Sequence, residues 1–366
     1  MSQAFLSISS ARRRLLHFYD RQGRELPWRQ TRDPYAIWVS EVMLQQTRVG
    51  AVLAHYDRFL ARFPTLDALA AADLEDVLAA WTGLGYYRRA RLLHQGACFV
   101  AEHHGGALPA SRQQLVRIPG IGSYTAGAIT SIAFGQREAA VDANVARVIA
   151  RSFAVDGAPM PRARIESIAG QLADCARAGD VNQAMMDLGA SVCTAPRAGC
   201  EQCPLHTACG ARALGLQDAV PPPRVRKAPR AVTLACAVVR CGERALLVRR
   251  SDGEKLLRGM WELPTVEHDD AAQAAALLRR LVRDAAGAPV TLRGPRGSVR
   301  HDIVGRSIRA HVYEGEVDAA CAEGAKFFSE EEMGRAALSA LPLKILRANG
   351  FLSMPPPRAA RAAAER

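Results

Sequence analysis

Through the first 220 residues apolar positions recur every three to four residues, most clearly over 69–81 and 145–153, the period that lines one face of a helix. Short polar turns separate these stretches, so residues 1–220 read as an all-α unit. The pattern changes at Pro221-Pro222-Pro223, where a proline-rich, basic stretch running to Arg230 suits a semi-rigid linker, 221–230. Beyond it the apolar runs become shorter and β-rich. Residues 231–240 and 245–249 read as two strands joined by a hairpin turn at Cys241-Gly242-Glu243. A helix over 271–286, further strands within 290–317 and helices within 329–349 complete an α+β unit, 231–352. The tail 353–366, proline and then Ala/Arg-rich, reads as disordered.

A chain of 366 residues, 49% hydrophobic, is too long for one ordinary core and rich enough to fill two or three. No run of about 18 apolar residues occurs, and Arg12-Arg13-Arg14 precedes any stretch resembling a signal sequence, so the expectation is a soluble, cytoplasmic protein without a membrane partner. The formal net charge of +12 favours a polyanionic partner, because neutralising phosphates releases condensed counterions. Charge alone does not choose between DNA, RNA and a membrane surface. The excess is nearly all arginine, with lysine only at Lys227, Lys255, Lys326 and Lys344, a bias that GC-rich coding also produces.

Of nine cysteines, Cys98, Cys175, Cys236, Cys241 and Cys321 are scattered and read as small core filler. The other four, Cys193, Cys200, Cys203 and Cys209, fall in a C-x6-C-x2-C-x5-C loop, 193–209. In a reducing compartment four clustered thiols indicate a metal centre rather than disulfides. Zinc is one reading, although structural zinc sites usually pair C-x2-C knuckles and only Cys200 and Cys203 are so spaced. A 4Fe-4S cluster is the other, since unequal short loops can bring four thiolates to its corners.

A second motif, Ile118-Pro119-Gly120-Ile121-Gly122-Ser123-Tyr124, lies between a helix over 113–117 and another over 125–133. Its glycines allow a tight turn and leave N–H groups at a helix N-terminus, where a phosphate can sit. Alone, it is also an ordinary helix–helix turn. Asp142, in Ala140-Val141-Asp142-Ala143-Asn144-Val145, suits an N-cap. Glu41, in Val39-Ser40-Glu41-Val42-Met43-Leu44-Gln45-Gln46-Thr47, reads as a first-turn carboxylate complementing a helix dipole. Each bland reading prevails in isolation. Taken with the hairpin and the cysteines, in this order and spacing, both carboxylates match a DNA glycosylase pattern.

Four longer stretches carry the resemblance: Leu26-Pro27-Trp28-Arg29, residues 40–47, Trp81-Thr82-Gly83-Leu84-Gly85-Tyr86-Tyr87, and Asn182-Gln183-Ala184-Met185-Met186-Asp187-Leu188-Gly189-Ala190. With them, residues 1–220 resemble the MutY adenine DNA glycosylases of the endonuclease III superfamily. The resemblance implies a helix-hairpin-helix fold (hairpin about 113–133) whose amides at Gly120 and Gly122 grip phosphate without reading sequence. It also implies a 4Fe-4S cluster on the four cysteines, structural or close to DNA and not the catalytic centre. The sister family resembling endonuclease III places a lysine just after the hairpin glycines to form an imine with the sugar. Here Ser123 and Tyr124 stand there and no lysine precedes Lys227, which excludes a side-chain imine in the helical unit.

Adenine leaves its N-glycosidic bond only when protonated, and the sugar left behind resembles an oxocarbenium ion. One acid and one anion are therefore required. By the resemblance, Glu41 protonates the base and then activates water, Asp142 stabilises the cation, and Tyr124 and Asn144 assist the two. The adenine must be flipped out of the duplex; Arg29 and Gln183 match positions lining its pocket, and Gln46 and Tyr86 match residues that intrude into the stack. A buried aromatic role for Tyr86 is the competing reading.

The α+β unit resembles the family's Nudix-like recognition domain, most clearly at Leu257-Arg258-Gly259-Met260-Trp261-Glu262-Leu263-Pro264. Its helix reads Leu278-Arg279-Arg280-Leu281-Val282-Arg283-Asp284 without the glutamate cluster that holds magnesium in Nudix hydrolases, so no pyrophosphohydrolase activity is expected. The loop His301-Asp302-Ile303-Val304-Gly305 aligns with the family's lesion-reading loop, with Val304 where a hydroxyl is expected and Ser298 or Ser307 as substitutes. The expectation is a monomeric, monofunctional glycosylase that removes adenine opposite 8-oxoguanine or guanine in double-stranded DNA, on the nucleoid if bacterial. A relative acting on oxidised or mismatched pyrimidines, and a lesion-binding protein without catalysis, are the alternatives. A chain ending near Pro221 is expected to keep excision and lose discrimination.

Overall fold

The structure is a computed structural model describing residues 6–195, 197–222, 228–251, 253–254, 257–303, 305–318 and 321–353. Val304, half of the linker (223–227) and the tail from 354 lie outside the described residues. Two compact units form, one from residues 1–71 and 92–225, the other from 72–91 and 226–366.

The helical unit is organised around helix Pro34–Leu44. Asp33 caps it, its carboxylate accepting from the Tyr35 and Ala36 N–H groups, and Pro34 opens the first turn where no N–H is needed. All residues from Tyr35 to Met43 are buried, so this helix has no solvent face and its polar members, Ser40 and Glu41, are inside the core. Glu41 therefore sits in the last turns, not in a first turn where its charge would meet the helix dipole. Helices Val49–Arg62 and Ser123–Ile132 pack against it. The latter is buried throughout from Thr125, and a Cβ at Gly127 would stand 2.1 Å from the Ala139 carbonyl, so only glycine permits this close approach.

The hairpin joins helix Arg112–Leu115 to Ser123–Ile132, a little shorter and earlier than its pattern suggests. A second core is shared by helices Ile8–Gln22, Ala143–Ser152, Arg162–Ala173 and Ala178–Asp187. The last of these widens into a π turn, Leu188–Val192, that delivers Cys193. No helix among the described residues is long and apolar enough to cross a membrane. Of the scattered cysteines, Cys236 is buried and Cys98, Cys175, Cys241 and Cys321 are partly buried free thiols.

The second unit holds a seven-stranded mixed sheet: β1 (Arg230–Cys241), β2 (Arg244–Arg249), β3 (Trp261–Glu262), β4 (Thr265–Glu267), β5 (Arg293–Ile303), β6 (Arg306–Glu316) and β7 (Ala325–Phe328). The main order is β3-β2-β1-β6-β5, with β4 on β1 and β7 on β2. β1 and β6 run parallel at the centre, and β1 and β2 are joined by the expected tight turn, Cys241 pairing with Arg244. Helix Ala271–Ala286, capped by Asp270, covers one face, and helix Ala340–Ala348 closes the other. Arg279, Arg280 and Arg283 are exposed on the covering helix, the last two beside Asp284.

The periodic stretch 69–81 is not one helix. Helix Leu66–Ala70 ends, and Asp73, well suited to start a helix, opens helix Leu74–Ala80. The break coincides with the change of unit. Residues 72–91, which resemble part of the helical domain, pack within the second unit through Trp261, whose indole donates to Glu75 at 2.7 Å, and Leu338, whose carbonyl accepts from Tyr87 at 2.8 Å. A chain ending at Pro221 removes both partners, so amide hydrogen exchange over 74–80 should rise by tenfold or more, as expected for a segment that loses its buried contacts. Exchange as slow as in the full chain would show that 72–91 is held by other means.

Candidate active site

A buried helix, a hairpin helix and a helix N-cap bring the candidate catalytic groups together in the helical unit. Glu41 is 5% exposed. Burial pushes its carboxyl up to about 7; the Asp142 charge adds to this, while the Tyr124 hydrogen bond and Arg29 act against it. The Tyr124 phenol, near the start of Ser123–Ile132, donates to Glu41 Oε2 at 2.7 Å. Burial, then the Glu41 and Asp142 charges, hold that phenol well above its ordinary range, so it remains a donor. Asp142 is indeed an N-cap: Oδ1 accepts from the Val145 N–H at 2.7 Å and Oδ2 from Asn144 Nδ2 at 3.1 Å. The capping and catalytic readings are compatible, because the cap fixes the carboxylate that the chemistry needs in place.

Asn182 steadies the approach to Asp142. Its Oδ1 accepts from the Ala140 N–H at 3.1 Å and its Nδ2 donates to Ser131 Oγ and the Glu138 carbonyl, both at 2.8 Å. Gln183 is buried on the same helix, and its amide has no hydrogen-bond partner among the described residues, so it is available to a ligand. Arg29 is less free. It pairs both terminal nitrogens with Asp187, at 2.7 and 2.9 Å, and donates to the Arg24 carbonyl at 3.0 Å. Arg24 completes the cluster, Nε to Asp187 Oδ1 at 2.6 Å. Burial raises the Asp187 carboxyl and the two arginines more than reverse this, holding it below its ordinary range. Arg29 thus acts as a fixed positive wall near Glu41, with Nε and the second Nη2 hydrogen left as donors. Asp187 escaped sequence reasoning, although it stands inside the 182–190 stretch.

From Asp142 one face of helix Ala143–Ser152 runs to the cysteine loop. Arg147 donates to Asn144 Oδ1 at 3.0 Å, to the Gly189 carbonyl at 2.7 Å and to the Cys193 carbonyl at 2.9 Å. Arg151 donates to the Thr194 carbonyl at 2.8 Å and to Cys193 Sγ at 3.5 Å. Spacings of three and four made this face visible in principle. Cys193, Cys200, Cys203 and Cys209 line one cavity. Burial, and then the other three thiols, push Cys203 up to about 12. Four thiolates in such a space need positive charge among them, which is the chemistry of a metal centre. Among the described residues no group of three or more His, Cys, Asp or Glu side chains is arranged to hold a metal ion.

At the hairpin Gly120 has φ +83°, and a Cβ there would lie 2.9 Å from Leu92 Cβ. Among the described residues the Gly120 and Gly122 N–H groups have no acceptor, leaving donors at the start of a helix. Of the described non-glycine residues only Gln46, Tyr86 and Leu257 have positive φ, at +57°, +50° and +55°. Gln46 is exposed on the loop after Pro34–Leu44, and Tyr86 is 43% exposed, which removes the buried-aromatic reading. In the β5–β6 turn the Ser307 hydroxyl donates to Asp302 at 2.8 Å, and Ser298 is exposed.

Residues 39–171 match the HhH-GPD superfamily of base excision DNA repair proteins, and residues 235–348 match the NUDIX domain. The chain is 38% identical over 404 residues to the adenine DNA glycosylase of Homo sapiens, across 93% of this chain and 74% of that protein. It is 44% identical over 215 residues to the adenine DNA glycosylase of Mycobacterium tuberculosis, across 57% of this chain and 70% of that one. A solved thermostable thymine-DNA glycosylase superposes with a TM-score of 0.54 at 29% identity, over 57% of this chain and 97% of that one.

Glu41 links pH to stability. Between its ordinary 4.5 and about 7 the folded chain holds a proton that the unfolded chain releases, so stability falls as pH rises through this window. A shift of this size corresponds to about 3 kcal/mol, fully felt above pH 7. Glu41→Gln removes the charge while its amide oxygen still accepts from Tyr124. Its Tm should exceed wild type at pH 8 by roughly 5 °C or more, with the gap closing towards pH 5. A gap independent of pH would mean that Glu41 is not a buried acid.

Proposed function

The chain belongs to the adenine DNA glycosylases of base excision repair, and from that premise we propose that it hydrolyses adenine mispaired with 8-oxoguanine or guanine, with Glu41 as acid and Asp142 as anion. The observation that carries this reading is Glu41 itself: a buried carboxyl, raised to about 7, that receives the Tyr124 hydrogen bond and feels the Asp142 charge. Such a group is about half protonated at neutral pH, and the protonated form can give its proton to a ring nitrogen. After the base leaves, the same carboxylate can take a proton from water. Asp142, anchored by Val145 and Asn144, supplies negative charge to the oxocarbenium-like sugar. Gln183 and the Arg29–Asp187 wall bound the space for the flipped adenine, and the hairpin N–H groups take a backbone phosphate.

The four cysteines fit a 4Fe-4S cluster better than one zinc, since they surround a cavity and are unequally spaced. The cluster's part in this reading is to fix the loop that Arg147 and Arg151 tie to the Asp142 helix. No proton or bond passes through it. The β5–β6 turn is the proposed reader of the opposite base.

A duplex with adenine opposite 8-oxoguanine tests the reading. Strand breakage should appear only after alkali, because the helical unit carries no lysine for an imine. The single-turnover rate should fall as pH rises above about 7, as Glu41 loses its proton. Glu41→Gln should bind this duplex and release no adenine. Breakage without alkali, or near wild-type release by Glu41→Gln, would refute the assignment. Metal analysis should give about four irons per chain; one zinc and no iron would remove the cluster.

A further inference from the structure

Residues 81–87 form a turn that is strained and yet tightly held. Gly83, Gly85 and Tyr86 have φ of +103°, +68° and +50°. Glycine takes such values freely. Tyrosine does so at a conformational cost and persists there only when its surroundings over-determine it. Those surroundings are visible. Trp81, fully buried, donates its indole N–H to the Gly85 carbonyl at 3.1 Å. Arg89, 8% exposed, donates to the Leu84 and Gly85 carbonyls, both at 3.2 Å, and its guanidinium lies 5.4 Å from the Tyr86 ring and 5.5 Å from the Trp81 ring. The Tyr86 ring itself stays 43% exposed. An exposed aromatic adds little to a core, so the strain serves to present it. Side chains that part stacked bases have this character.

The next residue points the other way. Tyr87 is buried and donates its O–H to the Leu338 carbonyl at 2.8 Å, with Thr82 Oγ1 at 3.5 Å from the same oxygen. Leu338 is fully buried and bridges to Trp261, whose backbone N–H donates to the Ala337 carbonyl at 2.9 Å. Trp261 in turn reaches Glu75 at the start of helix Leu74–Ala80, and Arg91 donates to the Arg258 carbonyl at the far end. The segment 72–91 is thus clamped at both ends by residues of the NUDIX match and its C-terminal helices. A phenylalanine would fill the same apolar space as Tyr87; the hydroxyl adds a directional bond one residue from the strained ring.

We propose that Tyr87 is a positioning residue: by donating to Leu338 it fixes the turn that presents Tyr86, so the C-terminal residues govern opening of the base stack as well as reading of the opposite base. The proposal rests on the reading of the chain as a base-extruding adenine glycosylase. It assigns a mechanical purpose to the Trp261 stretch, the clearest motif of the C-terminal half, which holds part of 72–91 rather than a ligand.

The test uses the full-length protein and a duplex carrying 2-aminopurine beside the target adenine, opposite 8-oxoguanine. Rapid mixing records two events, fluorescence rise as the stack opens and adenine release. Tyr87→Phe should slow opening about three- to tenfold, the size of one lost hydrogen bond, in the direction of Tyr86→Ala. Release after opening should stay within about twofold of wild type, since Glu41 and Asp142 are untouched. Glu75→Ala, which loosens the other end of the segment, should act like Tyr87→Phe. Wild-type opening in Tyr87→Phe, equal loss of opening and release, or wild-type opening by Tyr86→Ala would each overturn the proposal. If the wild-type chain opens the stack but releases no adenine, the glycosylase reading fails whatever the variants do to opening, which separates the two failures.

Discussion

Much of the helical unit depends on one constraint, a carboxyl, Glu41, placed inside the core and kept from water. A carboxyl in an ordinary amphipathic helix would face solvent and titrate near 4.5. Helix Pro34–Leu44 therefore has no polar face, and two further helices cover it. Burial of this kind works against folding, and the compensation is local: Tyr124 satisfies one carboxyl oxygen, and Arg29 stands near enough to temper the shift. Arg29 is in turn locked by Asp187, so the positive wall cannot collapse onto Glu41 and turn the acid into a salt bridge. The same pocket thus needs a positive group nearby and needs it occupied.

The two carboxylates are held differently. Glu41 accepts a side-chain hydrogen bond from Tyr124 inside the core, whereas Asp142 accepts from a backbone N–H and an amide at the partly exposed start of a helix. From Asn144 onward the support of Asp142 is continuous through Arg147 to the Gly189 and Cys193 carbonyls. The cysteine loop, remote in sequence, is therefore part of what holds the anion still.

Much of this was legible in the sequence. Periodicity located the helices and the change at 221–230, while thiol spacing and hairpin glycines drew attention to the right loops. The misses have identifiable causes. Glu41 looked like a first-turn residue because a helix buried on all sides has no amphipathic period to mark its start, which Asp33 and Pro34 set several residues earlier. The stretch 69–81 looked like one helix because an Asp in the middle of a periodic run reads as a solvated position, when here it starts a new helix. Asp187 was missed because its partner Arg29 lies far away in sequence, and Arg147, although its helical spacing was visible, because the carbonyls it holds lie over forty residues away. Tyr86 and Gln46 drew notice by resemblance, and only backbone conformation set them apart from their neighbours.

The excursion of residues 72–91 into the second unit has a consequence for how such proteins can be recombined. A chain that crosses from one unit to the other and returns before its final crossing cannot be divided into two cassettes at the proline linker. Chimaeras that graft the C-terminal half of a relative onto this helical half would mismatch Glu75, Tyr87 and Arg91 against foreign partners, whereas grafts that carry 72–91 along would keep the native clamps. Inheritance of the two halves is therefore tied together by twenty residues embedded in the first, and substitutions there should travel through descent with those around Trp261 and Leu338.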